Sequence, residues 1–250
     1  VVVETGPPDQ TVTITSFSSS TTATTTYTVI EGDESSDLSV NSLTKSSGDL
    51  RDTAGNDADL SIPGGQNLDN NEAIVVDGNI PAAVNVGTVV ASGNPVATNY
   101  WNSSNSNLDV TVPIPGDASL VSGSVQLKGY WGADVNTAQI LVESATIGAT
   151  GDMTIQIPKA TLEAFGGFVE SGVLKIVATV TDKAGNTSAV GTESANPITI
   201  DQTAPIVTNI TSDAANATYG IAGVIDVDLT FSETVTLVGA NCLGLADIPA

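Results

Sequence analysis

Asp52-Thr-Ala-Gly-Asn56 and Asp182-Lys-Ala-Gly-Asn186 are two copies of one pattern, with a carboxylate and an amide four positions apart around a glycine. Carboxylate, amide and backbone oxygens are what a hard cation takes, and Ca²⁺ uses six to eight of them at about 2.3–2.6 Å. Glycine lets such a loop turn its carbonyls toward an ion. The same five residues also make a tight turn with no ion, since Asp, Asn and Gly each suit one. A companion residue favours the ion. Each copy is followed by a strand ending in aspartate, Ile74-Val-Val-Asp77 and Ile198-Thr-Ile-Asp201, and each aspartate has a proline four positions on, Pro81 and Pro205.

Other chemistries find no residues. The 250 positions hold no His and one Cys, Cys242. That removes Ser-His-Asp and Cys-His relays, His-containing zinc sites, internal disulfides and Cys-rich clusters. No P-loop or GxGxxG motif is present, and nothing marks a cleft for paired carboxylates, so an enzyme is not expected. Six Lys and Arg against 28 Asp and Glu give a net charge of −22, which opposes nucleic acid and anionic membrane surfaces. No apolar run is long enough for a membrane-spanning helix, and no membrane insertion is expected. The first residues lack signal-peptide order and a start Met, so we expect a piece of something longer.

The elements that position the acidic loops are strands. Val, Ile, Thr and Ser dominate over aromatics, and Gly, Asn and Asp punctuate alternating runs. Such runs are Thr11–Thr15, Thr24–Ile30, Leu108–Ile114, Gly123–Leu127, Met153–Ile157, Val173–Thr181 and Val224–Phe231. One short helix is expected over Lys159–Phe165, after Pro158 and before Gly166-Gly167. Asp77 and Asp201 stand one period of 124 residues apart. We therefore divide the chain into 1–77, the closing part of a repeat; 78–201, a complete repeat; and 202–250, the opening part of another.

Ile200-Asp201-Gln-Thr-Ala-Pro205, Thr230-Phe-Ser-Glu233 and Asp182-Lys-Ala-Gly-Asn186 resemble the bacterial immunoglobulin-like, cadherin-like repeats of giant surface adhesins. Tyr27 to Leu60 resembles the second half of the same repeat, and Tyr100 to Ala118 a sister type. Asn79-Ile-Pro81 departs from the usual Thr-Ala-Pro. The resemblance implies an all-β fold of tandem Ig-like antiparallel β-sandwiches, seven strands each, forming an elongated rod at the cell surface.

In that strand order the linker meets two loops of the domain that follows. The resemblance then gathers Asp77, Asp117, Asp182 and Asn186 at one junction, where Ca²⁺ would relieve their repulsion and stiffen the joint. At the second junction it gathers Asp201 and Glu233. Their DxAGN counterparts, Asp52, Asn56 and Asp57, belong there only if another copy completes the domain. Asp33, Glu34 and Asp37 are read as a solvated acidic loop, and Asp226 and Asp228 as outward residues of a strand. Trp101, Trp131 and Cys242 are read as packing residues. Four N-x-S/T sequons, at Asn102, Asn186, Asn209 and Asn216, match chance frequency.

The expected function is an extracellular stalk or filament segment whose partners are neighbouring repeats or copies of itself, head to tail. One alternative is a filament subunit whose terminal half-domains complete one another between copies; a covalent array is the simpler arrangement. A carbohydrate- or ice-binding surface on the Thr-rich runs is a further alternative, though Thr on a strand's outer face is ordinary β-propensity. No receptor or glycan is legible.

Overall fold

A computed structural model describes residues 1–236 apart from 16, 19, 94 and 95. Cys242 lies outside the described residues. Contacts divide the chain into two units, Val1–Ile200 and Asp201–Ala250. The fold is all-β.

The first 77 residues form short strands. β1 (Val2–Val3) pairs antiparallel with β2 (Gln10–Thr11) and, across the segment, with β4 (Val40–Ser42). β3 (Glu34–Ser35) pairs with β5 (Val76–Asp77). A one-turn helix, α1 (Leu68–Asn71), starts at Asn67, whose side chain accepts the Leu68 N–H. Val3, Leu38 and Val76 make a small core, with Val12, Tyr27 and Leu68 packed on it. The strands expected at Thr11–Thr15 and Thr24–Ile30 do not form, apart from Thr11 itself. Alternation fixes a strand only where a partner sheet buries one face. Here most of those residues are exposed, and none is buried.

The rest of the first unit carries two sheets. Its strands are β6 (Val89–Gly93), β7 (Tyr100–Trp101), β8 (Asn105–Ile114), β9 (Ser124–Trp131), β10 (Gln139–Thr146), β11 (Gly151–Pro158), β12 (Val173–Thr181) and β13 (Ile198–Ile200). One sheet runs β10-β9-β12-β13-β7 and the other β11-β8-β6. Leu108, Val110, Val112 and Ile114 alternate inward along β8. They share one buried cluster with Leu127, Leu174, Ile176, Val180 and Ile200 from the other sheet. Each such side chain, fully buried, stabilises by about 1.5–3 kcal/mol. This shared cluster locks register: β11 pairs with β8 without a slip from Gly151↔Ile114 to Pro158↔Asn107. The helix α2 (Lys159–Glu163) follows Pro158 and seats Leu162 in the same core.

Two details correct the expected seven antiparallel strands. There are eight, because the first edge strand is split between the sheets. β6 pairs with β8, while β7 joins β13 in parallel, with Thr199↔Tyr100 and Ile200↔Trp101. The split brings Trp101 into the core, where it is fully buried.

The second unit contains β14 (Val207–Thr211) and β15 (Asp228–Phe231), paired antiparallel. The strand expected over Val224–Phe231 begins only at Asp228. No residue of 201–236 is buried. Among the described residues, no helix is long and apolar enough to cross a membrane.

Candidate functional site

Asp182 directly follows β12, and its loop closes on itself. The Asp182 N–H donates to the Asn186 carbonyl at 3.0 Å. Oδ1 accepts the N–H groups of Gly185 (2.8 Å) and Asn186 (2.9 Å), and Oδ2 accepts the Asn186 amide at 2.9 Å. Gly185 takes φ +100°, a conformation that L side chains rarely adopt. Asp182 is buried.

The other copy makes a similar turn. Asp52 Oδ1 accepts from Ala54 and Asn56 N–H groups, Oδ2 accepts the Asn56 amide at 2.8 Å, and Gly55 has φ +92°. The Asn56 amide and the backbone N–H groups of the loop hold the Asp52 carboxyl below its usual value. This copy is exposed. Asp57 beside it is taken up by Arg51, whose Nε donates to Oδ1 at 2.7 Å.

The Asp182 loop also bonds beyond itself. The amide of Asn186 also donates to the main-chain carbonyl of Asp77 at 2.9 Å. The loop before β9 joins them, with the Lys183 N–H donating to the Ser119 carbonyl at 3.0 Å. Asp117 opens that loop, and its Oδ1 accepts the Ser119 N–H and hydroxyl at 2.9 and 2.7 Å. Gly123 permits the approach, since a Cβ there would lie 2.2 Å from the Thr181 carbonyl. The linker, the Asp117 loop and the Asp182 loop thus meet at one end of the sandwich.

The opposite side of Asp77 is also held. Glu34 stands directly across from it in the β3–β5 pair. Asn79 bridges them, its N–H to Asp77 Oδ1 and its amide to Glu34 Oε2, both at 3.2 Å. The next residue, Gly78, donates to the Asp33 carbonyl at 2.7 Å and accepts from the Gly32 N–H at 3.1 Å. A Cβ at Gly78 would lie 2.2 Å from the Ile30 carbonyl.

Asp33 itself corrects the solvated-loop reading. It is 3% exposed. Its carboxylate accepts the Tyr27 hydroxyl, the Ile30 N–H at 2.9 Å and the Gln10 amide at 3.0 Å. Burial works to raise its pKa, but these donors outweigh burial and hold it below the usual value. Burial, with Asp33 next to it, pushes the Tyr27 hydroxyl up to about 12. Sequence reasoning missed this pair because the flanking Glu31, Glu34 and Asp37 make the stretch look solvated. The only signal was Gly32 before an aspartate, a turn that folds Asp33 back toward Tyr27.

In the second unit Asp201 is half-buried and Glu233 exposed, just past β15. A group not foreseen there is Asp213, Asp226 and Asp228, which each offer one carboxylate oxygen within 4.8 Å of the other two. All three are exposed, as the sequence places Asp226 and Asp228. The Asp213 N–H and the Ser212 hydroxyl donate to Asp226, holding its carboxyl below the usual value. Among the described residues it is the one group of three or more His, Cys, Asp or Glu packed that closely. The hairpin pairing of β14 and β15 creates it, and no local sequence pattern announces it.

These features define an all-β chain with two loops beside the linker at Asp77. No protein-family model, curated protein or solved structure matches it.

Proposed function

We propose that the chain is a structural segment of an extracellular array of Ig-like repeats, with calcium stiffening the joints, and that it is not an enzyme. The observation that carries this is the Asn186 amide held between Asp182 Oδ2 and the Asp77 carbonyl. The sheet orders β10-β9-β12-β13-β7 and β11-β8-β6 support the Ig-like part, since a sandwich with loops clustered at its ends is the plan of that fold.

The donor types, carboxylate, amide and carbonyl oxygens, are those a hard cation takes, although no three of the carboxylates of Asp77, Glu34, Asp117 and Asp182 pack within 4.8 Å of one another. Turned about its last bond, the Asn186 amide presents its oxygen beside Asp182 Oδ2 and the Asp77 carbonyl. The carboxylates of Asp77, Glu34 and Asp117 stand on the three segments that meet there. Glu34 opposite Asp77 is a like-charge pair, which destabilises a strand ladder unless a cation offsets it. Calcium supplies that offset and ties linker to loop. The residues themselves orient the oxygens, through the Gly185 turn and the Asn79 bridge.

Limited proteolysis with and without calcium tests the reading. Cleavage near residues 77–82 should slow in calcium and quicken in chelator. Equal rates would count against the joint.

A further inference from the structure

The linker holds a chemically labile bond. Asp77-Gly78 is the one Asp-Gly step in the sequence, and no Asn-Gly step occurs. Glycine has no Cβ to hinder its own nitrogen, so that nitrogen can attack the carboxyl carbon of a preceding aspartate. Glycine is also imposed here. A Cβ at position 78 would lie 2.2 Å from the Ile30 carbonyl and 3.1 Å from that of Asp33.

The neighbours that demand glycine also restrain the reaction. Attack needs the Gly78 nitrogen without its proton and turned toward the Asp77 side chain. In the fold Gly78 is buried, and its N–H is committed to the Asp33 carbonyl at 2.7 Å. Pairing with Glu34 keeps Asp77 in a strand, and the Asn79 N–H holds Asp77 Oδ1 at 3.2 Å. The Asp33 carbonyl is fixed in turn. The Asp33 N–H donates to the Ile30 carbonyl at 3.1 Å, and its buried carboxylate accepts the Tyr27 hydroxyl and the Gln10 amide.

We infer that Asp77-Gly78 is a site of spontaneous isomerisation gated by this clamp: the bond lasts while Gly32 and Asp33 hold Gly78, and rearranges when they let go. The Gly78 nitrogen gives up its proton and bonds to Asp77 Cγ, and one carboxyl oxygen leaves as water, closing a succinimide ring. Water then adds to the ring. Where it splits the bond to Cγ, aspartate returns. Where it splits the bond to the α-carbonyl carbon, the chain runs on through Cβ and Cγ, and the α-carboxylate stands free. Nothing is oxidised or reduced, and the mass is unchanged. The added backbone carbon displaces the register of Glu34 against Asp77, so a joint that has opened in this way does not close again. The inference stands whether or not calcium occupies the joint.

Peptide mapping of the full chain, aged at neutral pH, tests this. Electron-transfer fragmentation distinguishes the two linkages at equal mass, and chelator present throughout keeps the result independent of calcium. In urea, β-linked Asp77 should accumulate steadily. In the native chain it should form at least about tenfold more slowly, because the open state of a packed segment is a minor one. Tyr27→Phe removes a partner of Asp33 and should raise the native rate severalfold. Leu108→Ala, in the sandwich core, should leave that rate unchanged. If Tyr27→Phe leaves the segment unfolded, Gln10→Ala removes a smaller part of the same network and should give a smaller rise. Equal rates in native buffer and urea overturn the proposal, as does the absence of isomerisation at Asp77 in urea. So does a native rate that neither clamp variant changes, or one that Leu108→Ala raises as much as they do.

Discussion

The side-chain amide of Asn186 donates to the main-chain carbonyl of Asp77 at 2.9 Å, joining residues 109 positions apart in sequence. Asn56 occupies the same place in a similar turn and, among the described residues, has no such contact with a linker. The motif is therefore a finished turn that becomes a joint when a linker carbonyl comes within reach of its amide.

Asn186→Ala should weaken the joint more than Asn56→Ala does, although both remove the same turn contact. Each lost hydrogen bond is worth about 0.5–1.5 kcal/mol. Hydrogen exchange at the Gly78 amide is the discriminating readout. It should speed up in Asn186→Ala and stay unchanged in Asn56→Ala.

Gly78→Ala should be costly. The added carbon meets the Ile30 carbonyl at 2.2 Å, so backbone must shift. Overpacking of this kind costs about 1–3 kcal/mol. Gly116 has nothing within 4 Å of its Cβ position and an ordinary φ, so Gly116→Ala serves as a neutral control. Urea melts of the two variants would separate the effects.

Acid should weaken the N-terminal segment. Asp33 has a folded pKa below its ordinary 3.8. Its contribution is therefore complete above that value and lost as pH falls through the lower, folded one. Tyr27 behaves oppositely at the alkaline end. Its pKa rises from 10.0 to about 12, so its contribution is full below pH 10 and lost between the two values. Tyr27→Phe should cost about 1.5–3 kcal/mol at neutral pH, as expected for a hydrogen bond to a charged group. It should also flatten the acid limb of a stability–pH curve followed by circular dichroism.

Much of this was legible in sequence where burial is one-sided. β8, β11 and β12 appear as alternating runs because two facing sheets enforce the period. Thr11–Thr15 shows the same alternation, yet it gains no strand beyond Thr11, since none of its residues is fully buried. The site was legible as a set of loops, because Asp77, Asp117 and Asp182 each stand beside turn residues. Its finer contacts were not. Glu34 faces Asp77 only through a two-residue strand pair, and Asp33 is buried by a tyrosine six positions before it. Both depend on tertiary register, which local pattern does not encode.

The central sandwich should answer to its core. Leu108 is fully buried on β8, so Leu108→Ala should cost about 2–5 kcal/mol, with the cavity adding to lost transfer energy. Val90, on the neighbouring strand β6, is 49% exposed. Val90→Ala should change stability far less in the same denaturant titration.

The most direct measurement is thermal melting of the full chain as calcium is raised, with chelator as the zero point and Asp182→Asn alongside. A site occupied only in the folded form adds about 2.7 kcal/mol at a hundredfold excess over its Kd. A calcium-stiffened joint predicts a midpoint that climbs steadily with the logarithm of calcium concentration, with a smaller climb in the variant. Melting curves that superimpose in calcium and chelator would contradict it.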